Sequence, residues 1–122
     1  MHCRLSSAPQ PVIDQDFRDP DLLLVEGTYY AYATQRVDGS HNVQLATSTD
    51  LSTWEVAEQD VLPTLPAWAT SGRTWAPDVT AVAKGYVMYV TAWDADSAGS
   101  RRGCTCSECR PMACAPPARL AD

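Results

Sequence analysis

Two aspartates flank a proline near the N-terminus, in the stretch "RDPDLLLV" that begins at Arg18. Asp19 and Asp21 stand directly ahead of an apolar run, although acidic residues are poor strand formers and a buried carboxylate is costly unless it is paired or hydrogen-bonded. The pair therefore has two interpretations. Either it forms a turn, or it places a catalytic carboxylate at the mouth of a β-structure.

A second candidate for chemistry is a cluster of four cysteines near the C-terminus: Cys104, Cys106, Cys109 and Cys114. Four closely spaced thiols could ligate zinc. The single residue between the first two, the lack of a nearby histidine and the scarcity of core-forming residues argue against a zinc site. Three interpretations remain: an out-of-frame gene end, which the Arg-, Ala-, Pro- and Cys-rich composition favours, a metal or disulfide knot, and an ordinary disordered tail.

The elements that must position Asp19 are predicted to be β-strands. Apolar and polar residues alternate with the period of a strand, two hairpin signals are present, and no segment shows a helical stripe. The predicted strands are 21–25, 28–34 and 42–48, followed by a hairpin over 78–94, with turns at Glu26-Gly27 and Lys84-Gly85. The sequence thus predicts an all-β fold.

The two hairpins are predicted to be copies of one unit. Sliding the sequence on itself by 57 residues aligns "DPDLLLVEGTYYAYAT" with "APDVTAVAKGYVMYVT" and keeps the alternation. A period of about 40 to 60 residues with several strands per unit is typical of β-propeller blades. The identities are Pro20/Pro77, Asp21/Asp78, Val25/Val82, Tyr29/Tyr86, Tyr32/Tyr89 and Thr34/Thr91.

The repeat separates the two aspartates of the opening motif. Asp21 recurs as Asp78, which indicates a structural role such as capping the loop ahead of each blade. Asp19 has Ala76 as its counterpart, so its carboxylate departs from the repeat and is the better functional candidate. In a propeller the first strand of each blade lines the central channel, where such a residue could face a shared pocket.

Composition limits the partners and the compartment. The 122 residues carry a formal net charge of −6, which argues against nucleic acid or an anionic membrane as a partner. No stretch approaches the roughly 20 apolar residues that span a bilayer, and no signal-peptide core is visible. The chain as written is expected to be cytoplasmic, and secreted only if its N-terminus is incorrectly assigned.

The chain divides into three parts. All ten aromatic residues precede position 97, and four of the five cysteines follow it. Charge changes at the same point, from −8 over residues 1–96 to +2 over residues 97–122. We predict an unstructured lead over residues 1–10, a partial β-propeller domain over 11–96, and an irregular Cys/Arg/Pro-rich tail over 97–122 that is disordered or out of frame.

Four stretches in the predicted domain resemble a known enzyme family. "DFRDPDLLLVEGTYYAYAT", "VQLATSTDLSTWE", "LPAWA" and "TWAPDV" with "GYVMYVTAWD" occur in the same order as in the N-terminal part of family 43 glycoside hydrolases. Those enzymes are five-bladed β-propellers that act on arabinans, xylans and related plant polysaccharides. The resemblance implies that this chain is an incomplete propeller, roughly the first two of five blades.

The resemblance also implies roles for three residues. Asp19 matches the general base that activates water in these inverting glycosidases, Trp75 matches a tryptophan that walls the sugar site, and Asp78 follows it near the channel. The family's general acid and its pKa-tuning aspartate belong to later blades, and no stretch here matches them. We therefore expect a fragment that is inactive alone on arabinose- or xylose-containing polysaccharides.

Two further functions stay open. The chain could be a non-catalytic carbohydrate-binding propeller fragment that keeps Trp75 as a platform, or a small thiol-rich zinc protein, which is the least favoured. The partner expected in the first two cases is an oligosaccharide or polysaccharide. No cofactor is expected, with calcium left open only for a complete propeller.

Overall fold

The computed structural model describes residues 9–94 together with the backbone of residues 111–112. These residues form strands and connections without a helix, so the all-β prediction is confirmed for them, and none lies in a helix able to cross a membrane. The predictions about the four tail cysteines fall outside the described residues. The strands are β1 (Asp21–Val25), β2 (Thr28–Ala33), β3 (Gln44–Ser48), β4 (Glu55–Val56), β5 (Ala69–Val82), β6 (Gly85–Asp94) and β7 (Pro111–Met112).

The first sheet is an antiparallel meander in the order β1-β2-β3-β4. Val25 pairs with Thr28, so a two-residue turn of Glu26 and Gly27 joins β1 to β2. Both turn residues have positive φ, 48° and 82°, which suits the right-handed twist of the flanking strands. The first predicted hairpin is confirmed.

The second sheet has the order β5-β6-β7. Val82 pairs with Gly85, so the turn between β5 and β6 consists of Ala83 and Lys84, and the predicted turn at Lys84-Gly85 is wrong by one residue. Gly85 opens β6 with φ 140°, a conformation that residues with a Cβ rarely adopt. The glycine is thus explained by the first position of the strand rather than by the turn.

Strand β5 begins at Ala69, whereas the second hairpin was predicted to begin at Asp78, so the strand extends further toward the N-terminus than predicted. Its pairing with β6 shifts register between Ala69 and Thr74 and again between Trp75 and Asp78. The second shift accommodates Pro77, which has no N–H to donate to the ladder and is tolerated in strands at such bulges. Pro77 therefore lies within β5.

The strand register confirms the internal repeat. Every β1–β2 pair has a β5–β6 counterpart displaced by 57 positions, and the aspartate pairs Asp21 with Tyr32 and Asp78 with Tyr89 are equivalent. The remaining equivalent pairs are Leu22/Ala31 with Val79/Met88, Leu23/Tyr30 with Thr80/Val87, Leu24/Tyr29 with Ala81/Tyr86, and Val25/Thr28 with Val82/Gly85.

The core lies between the two sheets. Its buried residues are Tyr32, Val43 and Leu45 from the first unit and Val79, Met88 and Val90 from the second. Burying a side chain of this kind contributes about 1.5–3 kcal/mol relative to leaving it exposed. The sheets are therefore held together mainly by apolar packing, and the loops at their ends are brought close to each other.

Candidate active site

Asp19 stands two residues before β1 in a backbone conformation that is unusual for a residue with a side chain. Its φ is 49°, and its repeat counterpart Ala76 has φ 44°, each just ahead of a proline. Positive φ is uncommon outside glycine, and aspartate tolerates it better than alanine does. The repeat has thus preserved a strained backbone and changed only the side chain that it carries.

Thr34 joins Asp19 to the second sheet. The Thr34 hydroxyl donates to Asp19 Oδ2 at 3.2 Å, and the same Oγ1 accepts the N–H of Ala76 at 3.0 Å. The backbone N–H of Thr34 also donates to the carbonyl of Arg18 at 3.0 Å. Because Thr34 is only 1% exposed, this short chain of hydrogen bonds fixes the exposed carboxylate of Asp19 relative to the strand that carries Trp75.

A buried glutamine supports the same corner. Gln44 Nε2 donates to the carbonyl of Thr34 at 3.0 Å and to the carbonyl of Asp16 at 2.9 Å. This ties the loop that carries Asp19 to the end of β2. The position of the carboxylate therefore depends on residues from three separate parts of the chain.

The loop after β2 is joined to β5 by hydrogen bonds. Asn42 Oδ1 accepts the N–H of Gly72 at 2.9 Å, Gln35 Oε1 accepts the N–H of Thr74 at 3.2 Å, and the Thr74 hydroxyl donates to the carbonyl of Asn42. Thr74 is fully buried and directly precedes Trp75. The segment beside the candidate site is therefore rigidly placed.

The three predicted site residues have different settings. Trp75 is half-buried in β5 and pairs with Thr91. It directly precedes Ala76, whose N–H donates to the Thr34 hydroxyl. Asp78 is exposed and lies outside the chain of hydrogen bonds that holds Asp19. The structure thus connects Asp19 to the peptide next to Trp75 and leaves Asp78 apart from that network.

Charge near Asp19 is already partly neutralised. Arg18 Nε forms an ion pair with Asp16 Oδ1 at 2.7 Å, both side chains being partly exposed. Among the described residues Asp19 belongs to no salt bridge. Its carboxylate is consequently held by a hydroxyl and not by a cation, which leaves it available to a water molecule.

The described residues also form a cleft that does not belong to this site, and they contain no candidate metal site. A shallow cleft of about 270 Å³ lies near the β1–β2 turn, at the opposite end of the sheet from Asp19, and is lined by Thr28, Thr47, Ser48, Thr49, Asp50, Thr53 and Glu55. Within the part of the chain that the structure describes, no three His, Cys, Asp or Glu side chains are grouped to hold a metal ion.

Thr34 was not identified from the sequence as a site residue. Its one sequence signal is the repeat identity with Thr91, which marks the position without giving it a partner. The contacts that matter join Thr34 to residues 15 and 42 positions away. Spacing along the chain could not have found them.

Two register-matched antiparallel sheets, packed through one core and repeating a strained Asp/Ala-Pro-Asp entry, define blades of a β-propeller. The family model "Glycosyl hydrolases family 43" matches residues 8–110. The chain belongs to this family. The predicted fold class, an incomplete β-propeller, is confirmed.

Arabinan-degrading enzymes are among the proteins that this chain resembles. It is 32% identical over 111 residues to "Extracellular endo-alpha-(1->5)-L-arabinanase 2" of Bacillus subtilis (strain 168), a match covering 79% of this chain and 22% of that protein. The exo-1,5-α-L-arabinanase from a bovine ruminal metagenomic library superposes with a TM-score of 0.53 and 28% identity, over 63% of this chain and 26% of that one.

A third relative is the endo-arabinase of Bacteroides thetaiotaomicron VPI-5482. Its TM-score is 0.56 at 26% identity, covering 70% of this chain and 29% of that one. The chain therefore spans about a quarter of the length of the relatives that it matches.

Proposed function

We propose that this chain supplies the general base and part of the sugar-binding wall of an inverting glycosidase that acts on arabinan. In this proposal Asp19 takes a proton from the attacking water, Trp75 contacts a sugar ring, and Asp78 lines the approach to the site. Arabinose-containing polysaccharide is preferred over xylan as the substrate because the relatives described above carry arabinanase names.

The observation that carries the proposal is the setting of Asp19. Asp19 carries an acidic side chain where its repeat counterpart is Ala76, and both residues have positive φ. Strained backbone tends to cluster at functional sites, where the surrounding structure maintains it. Here the surrounding structure is the buried Thr34 hydroxyl, which donates to Oδ2 of the exposed Asp19 side chain.

The chemistry requires a second carboxyl group. Inverting hydrolysis places a base on one face of the sugar and a protonated acid on the other, roughly 6.5–9.5 Å apart, so that water fits between base and sugar. Asp19 would deprotonate that water, and the departing oxygen would take its proton from the acid. We expect the acid and its pKa-tuning partner in the part of the longer relatives that this chain does not match, and we expect the chain to be inactive alone.

A chimera tests the assignment. Residues 11–96 would replace the matching segment of the Bacillus subtilis endo-arabinanase, and hydrolysis of an α-1,5-linked arabino-oligosaccharide would be followed together with the anomeric form of the product. We expect Asp19→Asn to lower kcat by about 10²–10⁴ with KM largely kept, since it removes the proton acceptor and retains the shape.

The matched control is Asp14→Asn, which alters an exposed acid ahead of β1 and should leave kcat unchanged. Full activity of the Asp19→Asn chimera would remove Asp19 as the base, and retention of configuration would remove the inverting mechanism. Binding of the oligosaccharide without hydrolysis by the unsubstituted, folded chimera would instead favour the non-catalytic carbohydrate-binding function.

A further inference from the structure

Thr34 uses each of its polar groups at the candidate active site. Its backbone N–H donates to the carbonyl of Arg18 at 3.0 Å, and its carbonyl accepts from Gln44 Nε2 at 3.0 Å. Its Oγ1 accepts the N–H of Ala76 at 3.0 Å and lies 3.2 Å from Asp19 Oδ2. The residue is buried, so its hydroxyl is fixed by these protein groups and not by bulk solvent.

The direction in which the Thr34 hydroxyl donates follows from its partners. A threonine hydroxyl has one hydrogen to donate and lone pairs with which to accept. The N–H of Ala76 can only donate, so Thr34 Oγ1 is the acceptor in that contact. Its single hydrogen is left for Asp19 Oδ2, and an ionised carboxylate is the stronger acceptor. The hydroxyl therefore holds the form of Asp19 that can take a proton from water.

The same hydroxyl contacts two residues with strained backbone. Asp19 has φ 49° and Ala76 has φ 44°, and such conformations persist only where the surrounding structure maintains them. Ala76 directly follows Trp75. A displacement of the Thr34 hydroxyl would therefore change the position of the Asp19 carboxylate relative to the peptide that carries the tryptophan.

The repeat indicates that this donation is specific to the first unit. Thr91 is the counterpart of Thr34, and Ala76 is the counterpart of Asp19. Alanine has no side-chain oxygen, so Thr91 has no carboxylate to hold at the entry of its own unit. A threonine that served only strand geometry would have the same task in both units. The contact with Asp19 is thus an addition to the repeat.

We propose that Thr34 is the positioning residue that aims the Asp19 carboxylate, an inference that rests on the assignment of Asp19 as the base. Thr34 is buried, so it acts through Asp19 and does not itself contact the sugar. A misplacement of about 1 Å at a reacting group can cost about 10²-fold in rate. Loss of the hydroxyl should therefore lower kcat and leave KM largely unchanged.

Amide resonances of the whole chain test the connection without any activity. Asp19→Asn should shift the amide resonance of Ala76, because groups in a chain of hydrogen bonds polarise one another through the shared hydroxyl. The same substitution should not shift it in the Thr34→Val chain. Asp14→Asn, at an exposed acid ahead of β1, is the matched control and should shift it in neither chain. An Ala76 resonance that responds to Asp19→Asn equally with and without the hydroxyl, or not at all, would overturn the proposal.

Kinetics of the endo-arabinanase chimera test the consequence for turnover. Thr34→Val should lower kcat by about 10- to 100-fold with KM largely kept, and Thr34→Ser, which keeps the hydroxyl, should restore most of it. In an Asp19→Ala background, Thr34→Val should lower the residual rate no further, because the group that it positions is gone. Ala76 shows that alanine is accepted at this φ. Equal losses in both backgrounds would give Thr34 a structural role only.

The outcomes separate this inference from the proposed function. An Asp19→Asn chimera that loses turnover, beside a Thr34→Val chimera that keeps it, would overturn the positioning role and leave Asp19 as the base. Full activity of the Asp19→Asn chimera would remove Asp19 as the base, and the positioning role would be lost with it.

Discussion

Replacing Asp21 by alanine should destabilise the chain, whereas the same change at Asp78 should not. The two residues are repeat counterparts with the same strand position and the same tyrosine type as cross-strand partner. Asp21 alone accepts the N–H of Val79 at 2.7 Å. Asp21→Ala therefore removes a hydrogen bond to a charged acceptor and leaves the N–H of a buried residue unsatisfied.

The expected loss follows from that contact. A hydrogen bond to a charged group contributes about 1.5–3 kcal/mol, and substitutions of exposed groups usually stay within about 0.5 kcal/mol. Against a total stability of about 5–15 kcal/mol for a small domain, a loss of this size is large. Asp21→Asn keeps an acceptor oxygen and should recover part of the loss.

Urea unfolding measures the difference. The midpoint for Asp21→Ala should fall with an unchanged m value, and the midpoint for Asp78→Ala should stay near that of the wild type. Equal losses at the two positions would show that the contact between the sheets does not carry the stability, and the reasoning from the repeat would fail.

Three further results are expected. Thr34→Val keeps the side-chain volume but leaves the N–H of Ala76 without its acceptor, so its free energy of unfolding should fall by about 1–3 kcal/mol, while Thr49→Val, at an exposed threonine, should change it little. Hydrogen bonds from the Thr53 N–H, the Ser52 N–H and the Ser48 hydroxyl lower the pKa of Asp50 below its ordinary value of 3.8. The contribution of the Asp50 carboxylate to the free energy of unfolding is therefore fully present above pH 3.8 and is lost as the pH falls through the lowered pKa. The stability difference between wild type and Asp50→Asn should shrink over the same range in urea titrations at several pH values, and a constant difference would contradict it. The chain alone should release no measurable arabinose-containing product from α-1,5-arabinan in an assay of reducing ends, because the lack of a general acid lowers the rate by about 10²–10⁴. Robust turnover would overturn the fragment interpretation.

Local patterns account for what could be predicted. The first hairpin, the repeat and the distinction between Asp19 and Asp21 were visible because strand alternation, turn residues and a fixed offset are short-range properties of the sequence. The errors were also local. The turn at Ala83-Lys84 was predicted one residue too far along the chain, because Gly85 occupies the first position of β6 and not the turn. The start of β5 was predicted too late in the sequence, because Pro77 lies in a bulge that only the pairing with β6 reveals.

The sequence by itself determined the β-strand character of the chain, the two-unit repeat and the replacement of Asp19 by Ala76 within it, since each depends on residues close together or at one constant spacing. Tertiary structure decided which face of each sheet is buried, because alternation assigns residues to two faces without saying which face meets a neighbour. It also decided the partners of Asp19 and Asp21. Those partners, Thr34 and Val79, lie 15 and 58 residues away, and packing of the two sheets through their apolar core is what brings them within hydrogen-bonding distance.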